Sequence, residues 1–315
     1  MKTTVFLICV LLFIPGSASS KSGASFGAEA SDEALEGSGR GSDEVPSHEV
    51  WEELLGKYVA DERVDYLSWA TSEGGDRNRL ADYLRRLAAV KVKELGRADR
   101  LAFFINLYNA TMIQAVLDRL VVGWTPAADD FAVFKAPLVN LEGQRISLNH
   151  LENEIIRKEF KEPRIHAALV CGARSCPPLV ATAFRGQNLE GLLQGNMRAF
   201  VGDVRRNNVD HDRRLLKLSK IFEWYGSDFG DVRAYVGKAL GHDVSDYQLE
   251  FVDYLWDLNA AKTKPGLYFQ NAEGRIFKRL SSPDAPAEEA RYVDLKGRTL
   301  SAEDISVREL KSYSS

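Results

Sequence analysis

Between Arg97 and Leu120 the chain runs RADRLAFFINLYNATMIQAVLDRL, apolar on nearly every helical face and broken in its first half by Asn106 and Asn109. A helix without a polar stripe cannot lie on a surface, so this one is central and the rest of the chain must surround it. The two asparagines are then buried, and buried amides need hydrogen-bond partners. Three uses are open to them: pinning a neighbouring loop, bonding across helices, or donating to a developing oxyanion.

Several segments have the pattern to surround such a helix. Trp51, Leu54, Leu55 and Tyr58 share one helical face, and Arg77–Val92 sets Leu80, Tyr83, Leu84 and Leu87 opposite arginines. ISLNHLENEIIRKEF (146–160) predicts a helix capped by Ser147 or Asn149, with Leu148, Leu151 and Ile155 inward and Glu152 at the edge of that stripe. Leu189–Val201 and Asp228–Leu240 read as further helices, Gly123–Ala136 as a loop, and Arg214–Phe222 as a strand and turn. LEFVDYLWDL (249–258) is apolar and aromatic enough to lie deep. Two alternating runs around Asn271–Gly274 predict a hairpin, and the tail from Ser281 is polar and peripheral. The fold class is therefore α+β, a helical layer packed on a small, mostly antiparallel sheet. With 45% hydrophobic residues in 315, the chain can fill such a core.

The N-terminus has another character. Lys2 precedes ten apolar residues, Val5–Ile14, then Pro15-Gly16 and the small residues Ser17–Ser20, the three-part pattern of a secretory signal. Ten residues span about 15 Å as a helix, too short for a membrane. The mature chain is expected to be secreted or periplasmic, without stable membrane insertion. Residues 21–48, rich in Gly, Ser and acid, read as a disordered linker, 49–262 as the folded domain, and 263–315 as a C-terminal hairpin extension and tail. The 41 Lys+Arg against 45 Asp+Glu leave no summed basic field for nucleic acid. The expected partner is a small-molecule or peptide substrate.

Export would remove Cys9, leaving Cys171 and Cys176, too few to staple a fold of this size. After Pro163 the run RIHAALVC reads as a buried strand, and CGARSCPPL as an irregular loop, because Gly172 breaks the strand and Pro177-Pro178 forbid its continuation. On a regular strand His166, Ala168 and Val170 share a face and Cys171 takes the other, whereas Cys176 is free to fold back toward the imidazole. A thiol near pKa 8.5 is mostly protonated at neutral pH and needs a base, and the base needs a third group to hold its tautomer. Cys176 as nucleophile, with Cys171 as second choice, His166 as base and Glu152 as orienting group fit that chemistry. Other readings stay open: a Cys171–Cys176 disulfide, a core histidine bonded to backbone, or soft ligands for a metal. His48, His150, His211 and His242 sit in polar surroundings and read as surface residues.

Six separated blocks, VDY (64–66), LAFFINLYNA (101–110), SLNHLENEI (147–155), RIHAALVCGARSCPPL (164–179), LSKIFEWYGSDFG (218–230) and YLWDLN (254–259), resemble the family of domain of unknown function 547. The resemblance covers roughly residues 50–260. It implies a thiol hydrolase of α+β, papain- or transglutaminase-like architecture in altered chain order. The family's Glu, His and Cys positions fall at Glu152, His166, Cys171 and Cys176, and its asparagines at Asn106 and Asn109. The chain departs from the family's pattern at Asn153, Leu255 and Asp257. The expected function is an exported cysteine-dependent amide or thioester hydrolase or acyltransferase, with no cofactor and no metal. The alternative is a non-catalytic ligand- or protein-binding module whose Cys loop is structural and whose Phe222, Trp224, Tyr225, Tyr254 and Trp256 line a groove.

Overall fold

A computed structural model of the chain describes residues 46–311, apart from 283, 284, 287 and 288. The signal read at Met1–Ser20, and the linker up to residue 45, lie outside the described residues.

The apolar segment forms the helix Arg97–Arg119, and every residue from Leu101 to Ile113 in it is buried. Around it pack Asp76–Leu87, the short helix Tyr66–Ala70 and the helical stretch Leu148–Phe160. Glu49–Tyr58 buries the four residues of its predicted face. Trp51 stacks on Tyr83 at 6.0 Å and Tyr58 on Trp69 at 4.7 Å, so aromatic pairs lock these helices together. Asp76–Leu87 ends before the predicted Val92. One more turn would carry Lys91 onto the buried face, and the chain instead leaves the helix and buries Val92.

The predicted helix over 146–160 forms with a change of pitch. Ser147 caps it, its Oγ accepting from His150 N at 3.1 Å. Leu148–His150 and Arg157–Phe160 are α-helical, and Leu151–Ile156 between them is a π turn. The wider turn delays the buried stripe by one residue, so Ile156 is fully buried where Ile155 was expected. It also takes Glu152 inside, at 7% exposure.

The fold is α+β, with the strands of the described residues spread over four small sheets. β1 (Val59–Ala60) pairs antiparallel with β2 (Arg63–Val64), and β3 (Val139–Leu141) with β4 (Gln144–Ile146). β5 (Asn208–Asp210) pairs antiparallel with β6 (Leu215–Leu218), which runs parallel to β7 (Gln248–Phe251). The hairpin β8 (Tyr268–Gln270) and β9 (Ile276–Arg279) forms as predicted. The tail beyond it is not peripheral: β10 (Arg291–Asp294), β11 (Thr299–Ser301) and β12 (Arg308–Glu309) complete a five-stranded sheet in the order β11-β10-β9-β8-β12. Ala290 and Tyr292 pack on Phe277, and Leu310 reaches the main core, a spacing too sparse to stand out in a polar tail. The segment 249–258 is likewise not deep. It is an extended strap with Leu255 51% exposed, because its backbone pairs with another loop rather than with core side chains.

Beside the small cluster of Phe277, Ala290 and Tyr292, the described residues form two larger apolar cores. The larger surrounds Arg97–Arg119; the smaller lies between β5–β7 and the helices Leu189–Gly202, Lys220–Trp224 and Val232–Leu240. Ile165 belongs to the first and Ala167 to the second, so His166 stands on the seam between them.

His48 is buried, contrary to the surface position expected from its polar neighbours. Its Nδ1 pairs with the Tyr83 hydroxyl at 2.7 Å. Burial, reinforced by nearby Arg185, depresses its pKa to about 4, with Glu52 opposing. Below pH 6.5 the unfolded chain takes up a proton that the folded chain refuses until about pH 4, so stability falls across that window. Urea unfolding at pH 7 and 4.5 should show a loss larger by about 2–3 kcal/mol in the native chain than in His48→Gln. Equal losses would show that His48 is not neutral in the fold.

Candidate active site

The segment after Pro163 is buried as expected but is not a strand. Pro163–Ala167 is a 3-10 turn capped by Glu162, and residues 168–188 run irregularly beside the central helix. An irregular buried loop has backbone groups that no ladder satisfies, and side chains must satisfy them. Asn109 donates from Nδ2 to Ala168 O at 2.8 Å and accepts from Val170 N at 2.9 Å. One turn earlier, Asn106 does the same for Phe184, with 2.7 Å to its carbonyl and 3.1 Å from its amide. The paired asparagines thus hold both ends of the loop that carries the cysteines. Neither lines the cleft described below, and pinning is the use the fold makes of them.

The far side of the loop is held by the strap. Asn259 N donates to Gly172 O at 2.8 Å, Arg174 N to Asp257 O at 2.7 Å, and Leu255 N to Ser175 Oγ at 2.9 Å. Asn259 in turn accepts from Tyr66 Oη at 2.8 Å and, through its carbonyl, from Val64 N at 3.0 Å. The blocks VDY, RIHAALVCGARSCPPL and YLWDLN therefore meet in space. Gly172 has φ +78°, and a Cβ there would lie 3.3 Å from Met112 Cε, so the bend needs glycine on both counts.

Cys171 and Cys176 are free thiols with their sulfurs 2.9 Å apart. That is well beyond a disulfide bond of about 2.05 Å. Cys176 Sγ accepts from the Cys171 thiol and from Cys171 N, also at 2.9 Å, while Cys171 Sγ meets the Tyr254 hydroxyl at 3.1 Å. Burial alone would raise the pKa of Cys176, but the Cys171 thiol and amide, the Tyr254 hydroxyl and the charge of Arg206 outweigh it and lower it. Burial pushes Cys171 well up, and the neighbouring Cys176 adds to the rise. One sulfur is built to carry the negative charge and the other to donate to it. Arg206 sits behind the loop, donating to Cys176 O at 3.1 Å and Arg174 O at 3.2 Å, and is itself paired with Asp203 and Glu62.

His166 turns Nε2 to Asp228 Oδ2 at 2.8 Å. Its ring stacks on Tyr225 at 3.9 Å between centroids. Arg157 clamps the same carboxylate, Nε to Oδ2 at 2.6 Å and Nη2 to Oδ1 at 2.7 Å, and Asn153 Oδ1 holds Arg157 Nη1 at 2.8 Å. Burial works against the Asp228 carboxylate, yet His166 and Arg157 hold it well below the usual carboxylate range. The sequence places Glu152 in this orienting role, but Glu152 Oε2 instead accepts from Tyr108 Oη at 3.1 Å. Asp228 and Arg157 are the site residues that sequence reasoning missed; Tyr254 was expected on the groove, but not its bond to Cys171. The signal for Asp228 is its place between Tyr225 and Phe229, an acid amid aromatic residues in the FEWYGSDFG block.

His166, Cys171 and Cys176 all line one cleft of about 530 Å³ counting its open mouth, together with Tyr108, Asn149, Glu152, Trp224, Tyr225, Tyr254 and Trp256. Of the five groove aromatics, Phe222 alone is elsewhere, in the smaller core. Among the described residues, no three His, Cys, Asp or Glu side chains are grouped as metal ligands would be, and no helix is long and apolar enough to cross a membrane.

Fold and site together define an α+β protein with a buried and a half-buried cysteine side by side and an aspartate-held imidazole on a shared cleft. Residues 92–201 match the family described as protein of unknown function, DUF547. The match spans the central helix, Glu152, His166 and both cysteines, and stops before Asp228 and Tyr254. No curated protein and no solved structure matches the chain.

Proposed function

We propose that the protein is an exported cysteine-dependent amide or thioester hydrolase or acyltransferase. Cys176 is the nucleophile, His166 the general base and then acid, and Asp228 the group that fixes the imidazole. The observation that carries the reading is the shared cleft: a thiol with donors arranged around it and an imidazole with one nitrogen tied to a clamped carboxylate line the same cavity.

With Nε2 committed to Asp228, the proton leaves Cys176 for Nδ1 of His166. The thiolate attacks the substrate carbonyl, and the leaving amine or thiol takes that proton from the imidazolium. Water, or an acceptor amine or thiol, then attacks the acyl-thioester with His166 again as base. The amide of Asn149 is the donor on the cleft wall placed to meet the oxyanion, since the Tyr108 and Tyr254 hydroxyls are engaged with Glu152 and Cys171. The signal-like residues 1–20 support the exported part of the reading.

The test is hydrolysis of small aryl thioesters and anilides, followed by absorbance. The native chain should turn over at least one of them roughly 100-fold or more faster than His166→Ala, the scale of positioned general-base catalysis. No difference between the two would overturn the reading and leave a binding module with an aromatic groove.

A further inference from the structure

The cleft's lining has an uneven chemistry that the thiol mechanism does not use. One wall is aromatic: Trp224 and Tyr254 are 4.9 Å apart between ring centroids, Tyr254 and Trp256 4.6 Å, and Trp224 and Trp256 6.0 Å. Glu152 is buried in the same lining, tied to Tyr108, and among the described residues no lysine or arginine belongs to it. The nearby cations are spoken for outside the lining: Arg157 lies on the Tyr225 ring and clamps Asp228, and Arg206 is paired with Asp203 behind the Cys loop. A thiolate at Cys176 adds to the negative field.

We propose that this cleft takes a cationic amine, with the alkylammonium part of the substrate against the Trp224, Tyr254 and Trp256 faces and Glu152 as its counter-ion. Ring faces carry negative partial charge and attract an ammonium group within about 6 Å of a centroid, most strongly where water is excluded. A carboxylate in the lining attracts a cation and opposes an anion, and it does so beside Arg157, whose charge also lies in its field. The inference rests on the reading above in taking the cleft as the substrate's place, and it names the substrate class: amides or thioesters whose acyl, leaving or acceptor part bears an ammonium group.

Binding to the full-length mature chain carrying Cys176→Ala tests it without any chemistry. Choline and n-butylammonium are titrated against tryptophan fluorescence, beside neutral 3,3-dimethylbutan-1-ol, which has the shape of choline, and anionic butyrate. At least one cation should bind roughly tenfold or more tighter than both the alcohol and butyrate. Adding Glu152→Gln should reduce that preference to about threefold or less while leaving the alcohol's affinity in place. If that variant does not fold, Tyr108→Phe, which loosens Glu152, should weaken cation binding in the same direction. Alcohol or butyrate binding as tightly as the cations, no cation binding at all, or a preference indifferent to both substitutions would overturn the proposal. Because the chain tested lacks its nucleophile, such a failure beside intact thioester turnover removes only the substrate class. Cation binding beside absent turnover removes only the enzyme.

Discussion

Cys176→Ala should bring thioester turnover down to the uncatalysed rate, whereas Cys171→Ala should keep measurable turnover, slower by roughly tenfold, the scale of one lost hydrogen bond to a charged group. The asymmetry follows from the donors. Cys176 accepts from the Cys171 amide and thiol, so its anion is stabilised, while burial and the neighbouring sulfur disfavour the anion of Cys171. Removing the Cys171 thiol leaves the amide in place and takes away one donor. The Cys176 pKa then rises, and at a fixed pH near neutrality less of it is thiolate. The alkylation rate of Cys176 against pH should accordingly shift to higher pH in Cys171→Ala. A reversed pattern, with turnover lost in Cys171→Ala and kept in Cys176→Ala, would transfer the nucleophile to Cys171.

Asp228→Asn has the second large effect. The amide can still meet His166, but it no longer favours the imidazolium that forms as Cys176 gives up its proton, and it can hold the wrong tautomer. A loss of about 10³–10⁴-fold in kcat is expected, up to the roughly 10⁴-fold effect of the corresponding change in serine proteases. The substitution also leaves Arg157 without its anion. Arg157 and Asp228 side chains are 21% and 24% exposed, so solvent screens the loss and a stability cost of about 1–2 kcal/mol is expected rather than that of a fully buried pair. The sign with pH is fixed by the depressed Asp228 pKa. Its contribution is present above the ordinary carboxylate value near 3.8 and is lost only as pH falls through the lower folded value. Between pH 5 and 8 the titration of Asp228 itself therefore adds no slope to the stability difference between the native chain and Asp228→Asn, while the difference in kcat persists. A kcat within threefold of the native chain would show that Asp228 does not orient the base.

The central helix was legible because a segment apolar all round has one place to go, and the spacing of Asn106 and Asn109 marked them as buried before their partners were known. What they bond was not legible: Ala168, Val170 and Phe184 lie 59–78 residues away, and no local pattern encodes which loop a buried amide will pin. The run RIHAALVC was correctly placed inside but misread as a strand, since an apolar stretch between Pro and Gly has no period to distinguish a strand from a buried coil held by side chains. Parity along a strand therefore did not decide between the cysteines. The proposal for Cys176 rests instead on the hydrogen bonds the two sulfurs make. Glu152 was right as a buried carboxylate because its neighbours form a helical stripe, yet the π turn that takes it inside leaves no mark in the sequence. Asp228 was missed because its partners, Arg157 and His166, are 71 and 62 residues distant. Polar tails give equally little warning of β10–β12, whose few buried side chains are spaced among charges.

The most direct measurement is the mass of peptides from the mature protein, quenched in acid within seconds of mixing with an acyl thioester. The mechanism places the acyl group on Cys176, with Cys171 unmodified and both sulfurs otherwise reduced. Acyl on neither cysteine, with the Cys171 and Cys176 peptides joined at a mass about two units below the reduced pair, would contradict it and make the pair a disulfide.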